Sequence, residues 1–461
     1  MNADTEKNEF LGTQPIGSLM FRLAVPAVTA QLVNMLYNLV DRMYIGHIEG
    51  IGSLALTGVG VCTPIILLIS AFAALVYMGG APRLSMLMGK GDSATAEKVM
   101  GNCFTVLIAL AAVLTVVFSV WQEELLLMFG ASENTIGYAL EYMRIYVLGT
   151  VFVQLTLGMN AFITAQGFAK TSMLTVIIGA ALNIALDPLF IFVFGWGVRG
   201  AAAATVISQA VSAIWVLIFL SGRKSVLRLR VSNMKPSFSL IAPCVMLGLS
   251  PFVMQATESV LSVCFNSSLL EYGGDIAVGA MTILSSVMQF AMLPLQGFTQ
   301  GAQPITSYNF GARNASRVKQ AFRLLLITCV VYSSLLWLAC MLVPELLAGA
   351  FTDNDELISY TARALRIYMS ASLIFGVQIA CQQTFVAIGN AKTSLFLAVL
   401  RKLILLIPLI YILPAIIEDK ETAVYLAEPV ADVIAVVTTA TMFAVGFGKS
   451  MKSLEKNDAK Q

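Results

Sequence analysis

Long apolar runs separated by short polar ones dominate the chain. A helix needs about 20 mostly apolar residues to cross the hydrocarbon core of a bilayer. Twelve segments meet that measure, near 18–42, 54–78, 99–120, 138–164, 172–194, 200–221, 239–264, 276–300, 322–343, 360–386, 394–416 and 423–446. Turn-forming breaks stand between several of them: GKGD at 89–92, GWGVRG at 195–200, EYGGD at 271–275 and FGARN at 310–314. The expected fold class is all-α and polytopic, with twelve transmembrane helices. MNADTEKNEF at the start does not read as a secretory signal peptide, because no short apolar run with a small-residue cleavage site follows it.

The pattern repeats. At an offset of 222 residues Gly89 falls on Gly311, Phe129 on Phe351, and Arg144-Ile145-Tyr146 on Arg366-Ile367-Tyr368. The hexamer 167–172 (GFAKTS) falls on 389–394 (GNAKTS), and further upstream, at 225, Pro26 falls on Pro251 and Asp41 on Asn266. Chance likeness between apolar helices would share Leu and Val, not this register of Gly, Lys, Arg and Tyr. The expected organisation is an N-terminal six-helix lobe (1–221), a cytoplasmic linker (222–238), a C-terminal six-helix lobe (239–448) and a cytoplasmic tail (449–461). Six spans is an even number, so both lobes keep one orientation. This is the parallel-repeat design of rocking transporters.

Composition agrees with a lipid setting. Hydrophobic residues make up 58% of the 461 and charged ones 12%, with a mean hydropathy of +0.83; a soluble domain carries about 25% charged residues. A net charge of +2 gives nucleic acid nothing to bind. Seven scattered Cys and one His, with no CxxC pair, support neither a disulfide framework nor a zinc site. The basic residues are sorted by segment. Seven alternate segments hold 21 of the 28 Lys and Arg, including Lys7, Arg83, Lys90, Lys170, Arg223 to Lys235, Arg313 to Arg323, Lys392, Arg401, Lys402, and Lys449 to Lys460. The opposite segments hold Arg42, Arg199 and Lys420 beside acids such as Glu123, Glu124, Asp353, Asp355 and Glu356. The positive-inside rule then predicts a multi-pass inner (cell) membrane protein with both termini cytoplasmic.

Ionisable groups at membrane depth are costly and mark candidate sites. Asp41 ends a stripe of Gln31, Asn34, Tyr37 and Asn38 on one face of the first span; the alternative is an interfacial Asp beside Arg42. Asn183 and Asp187 share a face of the fifth span, and Pro188 frees a backbone carbonyl next to them. Such oxygens suit a proton or sodium; the alternative is a structural pair at a kink. Glu258, in the seventh span, reads as an isolated carboxylate that would attract a cation, or as a structural hydrogen-bonding group. Glu428 and Asp432 in the twelfth span remain unassigned. Asn183 and Asp187 fall on Leu405 and Leu409 in the second half, so their role is not one that both lobes share. Asn160, Met254 and Met288 are further candidates for lining a cleft, although Met is more often core or lipid-facing. Few Lys or Arg are expected at membrane depth.

Three segments carry a family resemblance: NLVDRMYIGHIEG (38–50), LNIALDPLFIFVFGWGVRGAAAATVISQ (182–209) and GFTQGAQPITSYNFGARNASRVKQAF (297–322). They resemble the multidrug and toxic compound extrusion (MATE) transporters, the third segment most closely the MepA-like bacterial branch. The resemblance implies two six-helix lobes around a cleft, and export of cationic amphipathic compounds driven by inward flow of protons or sodium. It implies a cation-coupling site at Asp41, Asn183, Asp187 and Thr205, with sodium, if that is the ion, held by the first three, and a bend at Pro26. It also likens Glu258 to the seventh-span glutamate of another branch; the tenth-span stretch 372–385 lacks the aspartate found with it there, which argues against a sodium site in the C-terminal lobe. The expectation is a monomer with no cofactor and no resident metal, in contact with membrane lipid, whose partners are small cationic molecules. An exporter of lipid-linked saccharide or another endogenous metabolite on the same scaffold is the alternative. An enzyme is disfavoured, since HExxH, GxSxG and Asp-rich metal motifs are missing from the sequence.

Overall fold

The structure, a computed structural model, describes residues 10–458. The readings on Lys7, Lys460 and the first nine residues lie outside it, as does that on the side chain of Lys456. Every regular element among the described residues is helical. The spans are α1 (Ile16–Gly46), α2 (Gly52–Gly89), α3 (Ser93–Val120), α4, α5 (Ala169–Val193) and α6 (Val198–Ser221), followed by α7 to α12. Helix α4 is Ile136–Leu148 and Thr150–Ala165, bent by 56° at Gly149. Helices α7 (238–273) and α8 (275–311) form one run, Phe238–Gly311, broken where Gly274 takes φ 65° and ψ −159°. Next come α9 (Ala315–Leu342), α10 (Asp355–Tyr368 and Ser372–Ala387, bent by 51°), α11 (Ala391–Ile416) and α12 (Lys420–Asp458).

Each of the twelve apolar segments lies on one of these spans, with ends that differ by several residues. Helices outrun their apolar windows where polar ends can be capped. The tail expected from 449 continues α12 as helix to Asp458. The repeat is visible in the backbone of the loops. Asp92 caps α3 by accepting from the Thr95 amide at 3.0 Å, and Asn314 caps α9 by accepting from the Arg317 amide at 3.1 Å. The residues before these caps, Gly91 (φ 78°) and Arg313 (φ 59°), are both left-handed. The same geometry thus stands at positions 222 residues apart.

One core cluster lies wholly in the first half, around Ile65, Tyr142 and Tyr146, and another wholly in the second, around Phe265, Leu284 and Tyr425. A third crosses between them, with Leu19, Leu84, Met100 and Phe162 beside Ala302 and Ile305. These define two six-helix lobes and their junction.

The junction lies at the end of the molecule that carries Arg83, Lys90, Lys170 and Arg313, here called the basic end. The backbones there nearly touch. A Cβ on Gly79 would stand 1.8 Å from the Cys244 carbonyl oxygen, and one on Gly248 would stand 1.9 Å from that of Leu75. Across the pseudo-twofold axis, a Cβ on Gly297 would stand 2.4 Å from Val28 and one on Gly301 2.5 Å from Ala24. At mid-depth the rings of Phe72 and Phe252 meet at 5.2 Å. Among the described residues, no hydrogen bond, ion pair or ring contact joins the lobes beyond that ring pair towards the acidic end. The lobes are therefore closed against each other at the basic end.

Candidate functional site

The polar stripe of α1 runs into the interior of the first lobe. Gln31 and Tyr37 are half-buried, Asn34 and Asn38 are exposed, and Asn38 Nδ2 donates to the Asn34 carbonyl at 2.7 Å. Asp41, one turn further on, is buried. There it meets Asn183 and Asp187 of α5 and Thr205 of α6, all buried too. Asn183 Nδ2 donates to Asp187 Oδ1 at 3.3 Å and to Thr205 Oγ1 at 3.4 Å. The Asp41 and Asp187 carboxyls lie within hydrogen-bonding reach of each other, with the Tyr37 phenol beside both.

The two acids of this cluster stand without a paired counter-charge among the described residues. Neither Asp41 nor Asp187 makes an ion pair among the described residues. Asp41 Oδ1, Asp187 Oδ2 and Asn183 Oδ1 are buried with no hydrogen-bond partner. Two carboxylates buried side by side stay both ionised only with a positive ion beside them; otherwise one of them takes up a proton. Three unclaimed oxygens beside a hydroxyl form a donor set that fits either one. Immediately after Pro188 the chain continues as a π-helical turn, Leu189–Val193, a geometry frequent at functional sites.

The second lobe is built differently. Helix α11 widens into a π-helical segment at Leu400–Leu406, and there the consecutive residues Arg401 and Lys402 both point inward. Arg401 Nε donates to Asp432 Oδ1 at 2.6 Å and Arg401 Nη2 to Glu428 Oε1 at 2.8 Å. The same guanidinium lies 4.7 Å over the Phe375 ring. Lys402 Nζ donates to Glu258 Oε1 at 2.9 Å, and Tyr368 stands near all three acids. Two expectations are corrected here. Arg401 and Lys402 are not loop residues: they sit about 15 Å along a helix that begins at Ala391. Buried charge is tolerated at that depth because each cation has a carboxylate partner. Nor is Glu258 isolated, since Lys402 holds it.

The other predicted positions do not join either cluster directly. Pro26 is buried inside α1 near the lobe junction. Asn160 donates to the Ser172 carbonyl at 3.2 Å, tying α4 to α5. Met254 accepts at its sulfur from Gln382 Nε2 at 3.3 Å, and Met288 packs on the core of its own lobe. Where a tenth-span acid was sought, α10 carries the buried amides Gln378 and Gln382.

The profile of the MatE family matches residues 26–189 and 251–412, one stretch in each lobe. The chain belongs to the MatE family. Curated proteins similar to this MatE chain include the multidrug export protein MepA of Staphylococcus aureus (strain MSSA476), 23% identical over 411 residues that span 89% of this chain and 90% of the relative. MepA of Staphylococcus haemolyticus (strain JCSC1435) is 23% identical over 394 residues, 86% of each chain. The fold is similar to a crystal structure of MATE in the bent conformation, with a TM-score of 0.90, 22% identity and full coverage of both chains. It is also similar to the outward-facing conformation of a multidrug resistance MATE family transporter of the MOP superfamily, with a TM-score of 0.89, 22% identity, and coverage of 97% of this chain and 98% of that one. The protein is thus a multi-pass membrane transporter and not an enzyme.

Sequence reasoning missed two kinds of residue in this MatE transporter. Tyr142 and Tyr146 of α4 stack at 5.8 Å in the core of the first lobe, with Tyr142 near Asp41 and Thr205. A signal existed for one of them: Tyr146 repeats as Tyr368, which stands near the acids of the second lobe, while Tyr146 packs by Tyr142 and Tyr37 in the first. The Arg401 and Lys402 cluster left no such trace, since its partners come from α7 and α12.

Proposed function

We propose that this transporter is a cation-coupled antiporter exporting cationic, amphipathic small molecules by alternating access. The observation that carries the reading is the first-lobe cluster, in which buried Asp41 and Asp187 face each other with unclaimed oxygens and no ion pair. A proton or sodium ion entering from the acidic end, taken as outside, neutralises the pair. Helix α1 then repacks around Pro26, substrate leaves the cleft, and the lobes rock open towards the basic, cytoplasmic end. Coupling arises because ion and substrate favour different conformations. Export of multiple drugs by the similar MepA proteins supports the substrate class. Lipid-linked phosphates would ask for a strongly basic cleft, whereas the membrane-depth cations Arg401 and Lys402 are already met by three carboxylates.

The test is dye export from proteoliposomes with proton and sodium gradients imposed one at a time. One of them is expected to accelerate export. Export indifferent to both would overturn the coupling.

A further inference from the structure

We propose that Glu258 and Lys402 together form a subsite for amphoteric ligands, which place a cationic group on Glu258 and a carboxylate on Lys402. The proposal deepens the export function above and rests on that reading for transport, though not for binding. Glu258 lies on a polar stripe of α7 that continues through Gln255, Ser259, Ser262 and Asn266 at helical spacing. Its side chain is 56% exposed, whereas that of Lys402 is only 8% exposed. The carboxylate is therefore the accessible face of the pair and the ammonium stands behind it. Of the two Glu258 oxygens, Oε1 is engaged by Lys402.

The surroundings decide which ligand fits. Lys402 has three donors, and its one hydrogen bond among the described residues goes to Glu258. Glu428 and Asp432, the nearest other acids, are both committed to Arg401. A simple monocation can share Glu258 only through Oε2 and offers nothing to the remaining donors of the buried Lys402, and if it draws the carboxylate away it leaves that charge unpaired. A ligand that brings its own carboxylate exchanges one ion pair for two. The pair is also peculiar to this lobe, since Arg401 and Lys402 fall on Gly179 and Ala180 of the first half at the 222-residue offset. One lobe thus holds unpaired acids suited to an ion, and the other an acid–base pair suited to a charged organic ligand.

Rhodamine B, a zwitterion at neutral pH, and its ethyl ester, a monocation on the same ring system, test this by fluorescence polarisation on the purified full-length protein. Truncating one partner of a buried charge pair typically costs enough for a tenfold or larger change in affinity. Lys402→Gln should therefore weaken rhodamine B by about tenfold or more while leaving the ester unchanged or tighter, because Glu258 is set free. Glu258→Gln should do the reverse, weakening the ester more than rhodamine B. Because Glu258 is exposed, that variant carries the test if Lys402→Gln does not fold. Parallel losses of both dyes, or none, would overturn the subsite. Wild-type protein that binds the ester but not rhodamine B would also overturn it and leave cationic export standing. Binding of neither dye would overturn both.

Discussion

Gly89 and Gly311, equivalent residues of the two halves, close the basic end of the molecule against each other's helix. A Cβ on Gly89 would lie 1.9 Å from the Tyr308 carbonyl oxygen, and one on Gly311 would lie 1.9 Å from that of Met86. On a twofold axis a residue meets its own repeat mate, and here only a hydrogen in place of a side chain lets the backbones meet. The obstructing atoms are backbone and cannot swing aside.

Gly311→Ala and Gly89→Ala should therefore keep the basic end from sealing. Each is expected to lower steady-state export by up to about a hundredfold, the order that a misplacement of about 1 Å can cost. A reporter cysteine in the 222–238 linker region that is shielded in wild type should label faster from the cytoplasmic side. Export and labelling at wild-type levels would show that the close approach is dispensable.

The Arg401 triad should behave as structure rather than machinery. Arg401→Met leaves Glu428 and Asp432 buried without a counter-charge, and breaking such a pair costs about 3–5 kcal/mol. The expected result is a clear drop in the thermal unfolding midpoint in detergent. Replacing Arg401, Glu428 and Asp432 together by apolar residues should restore much of it. A midpoint unchanged by Arg401→Met would remove the triad from the account of stability.

Orientation is checked by single-cysteine labelling in a cysteine-less background. Positions in 222–238 should react only from the cytoplasmic face, and positions in 353–356 only from outside. The reverse pattern would invert the direction of transport proposed here.

The spans, the repeat and the first-lobe acids were legible because the bilayer imposes local rules. Each crossing needs its own apolar run, and an ionisable residue inside one, such as Asp41 or Asp187, stands out against it. Thr205 came only through family likeness, being an ordinary hydroxyl on a small-residue helix. Arg401 and Lys402 were misread because Lys392 precedes them and together they mimic a basic loop. What makes them internal is a π-helical turn and partners 31 and 144 residues away, Asp432 and Glu258, which no local pattern records. Gly89 and Gly311 were seen as repeat mates, but the contact of each with the other's helix follows only from the way the lobes assemble.

The central claim is that the Asp41–Asp187 cluster couples ion entry to export. Its most direct measurement is gradient-driven dye export by Asp41→Asn and Asp187→Asn proteoliposomes, matched for protein content, beside dye binding at equilibrium. Each variant removes an ionisable oxygen at membrane depth while keeping its size. The account predicts folded, dye-binding proteins in which the imposed gradient no longer accelerates export. Gradient-driven export near the wild-type rate in both variants would contradict it.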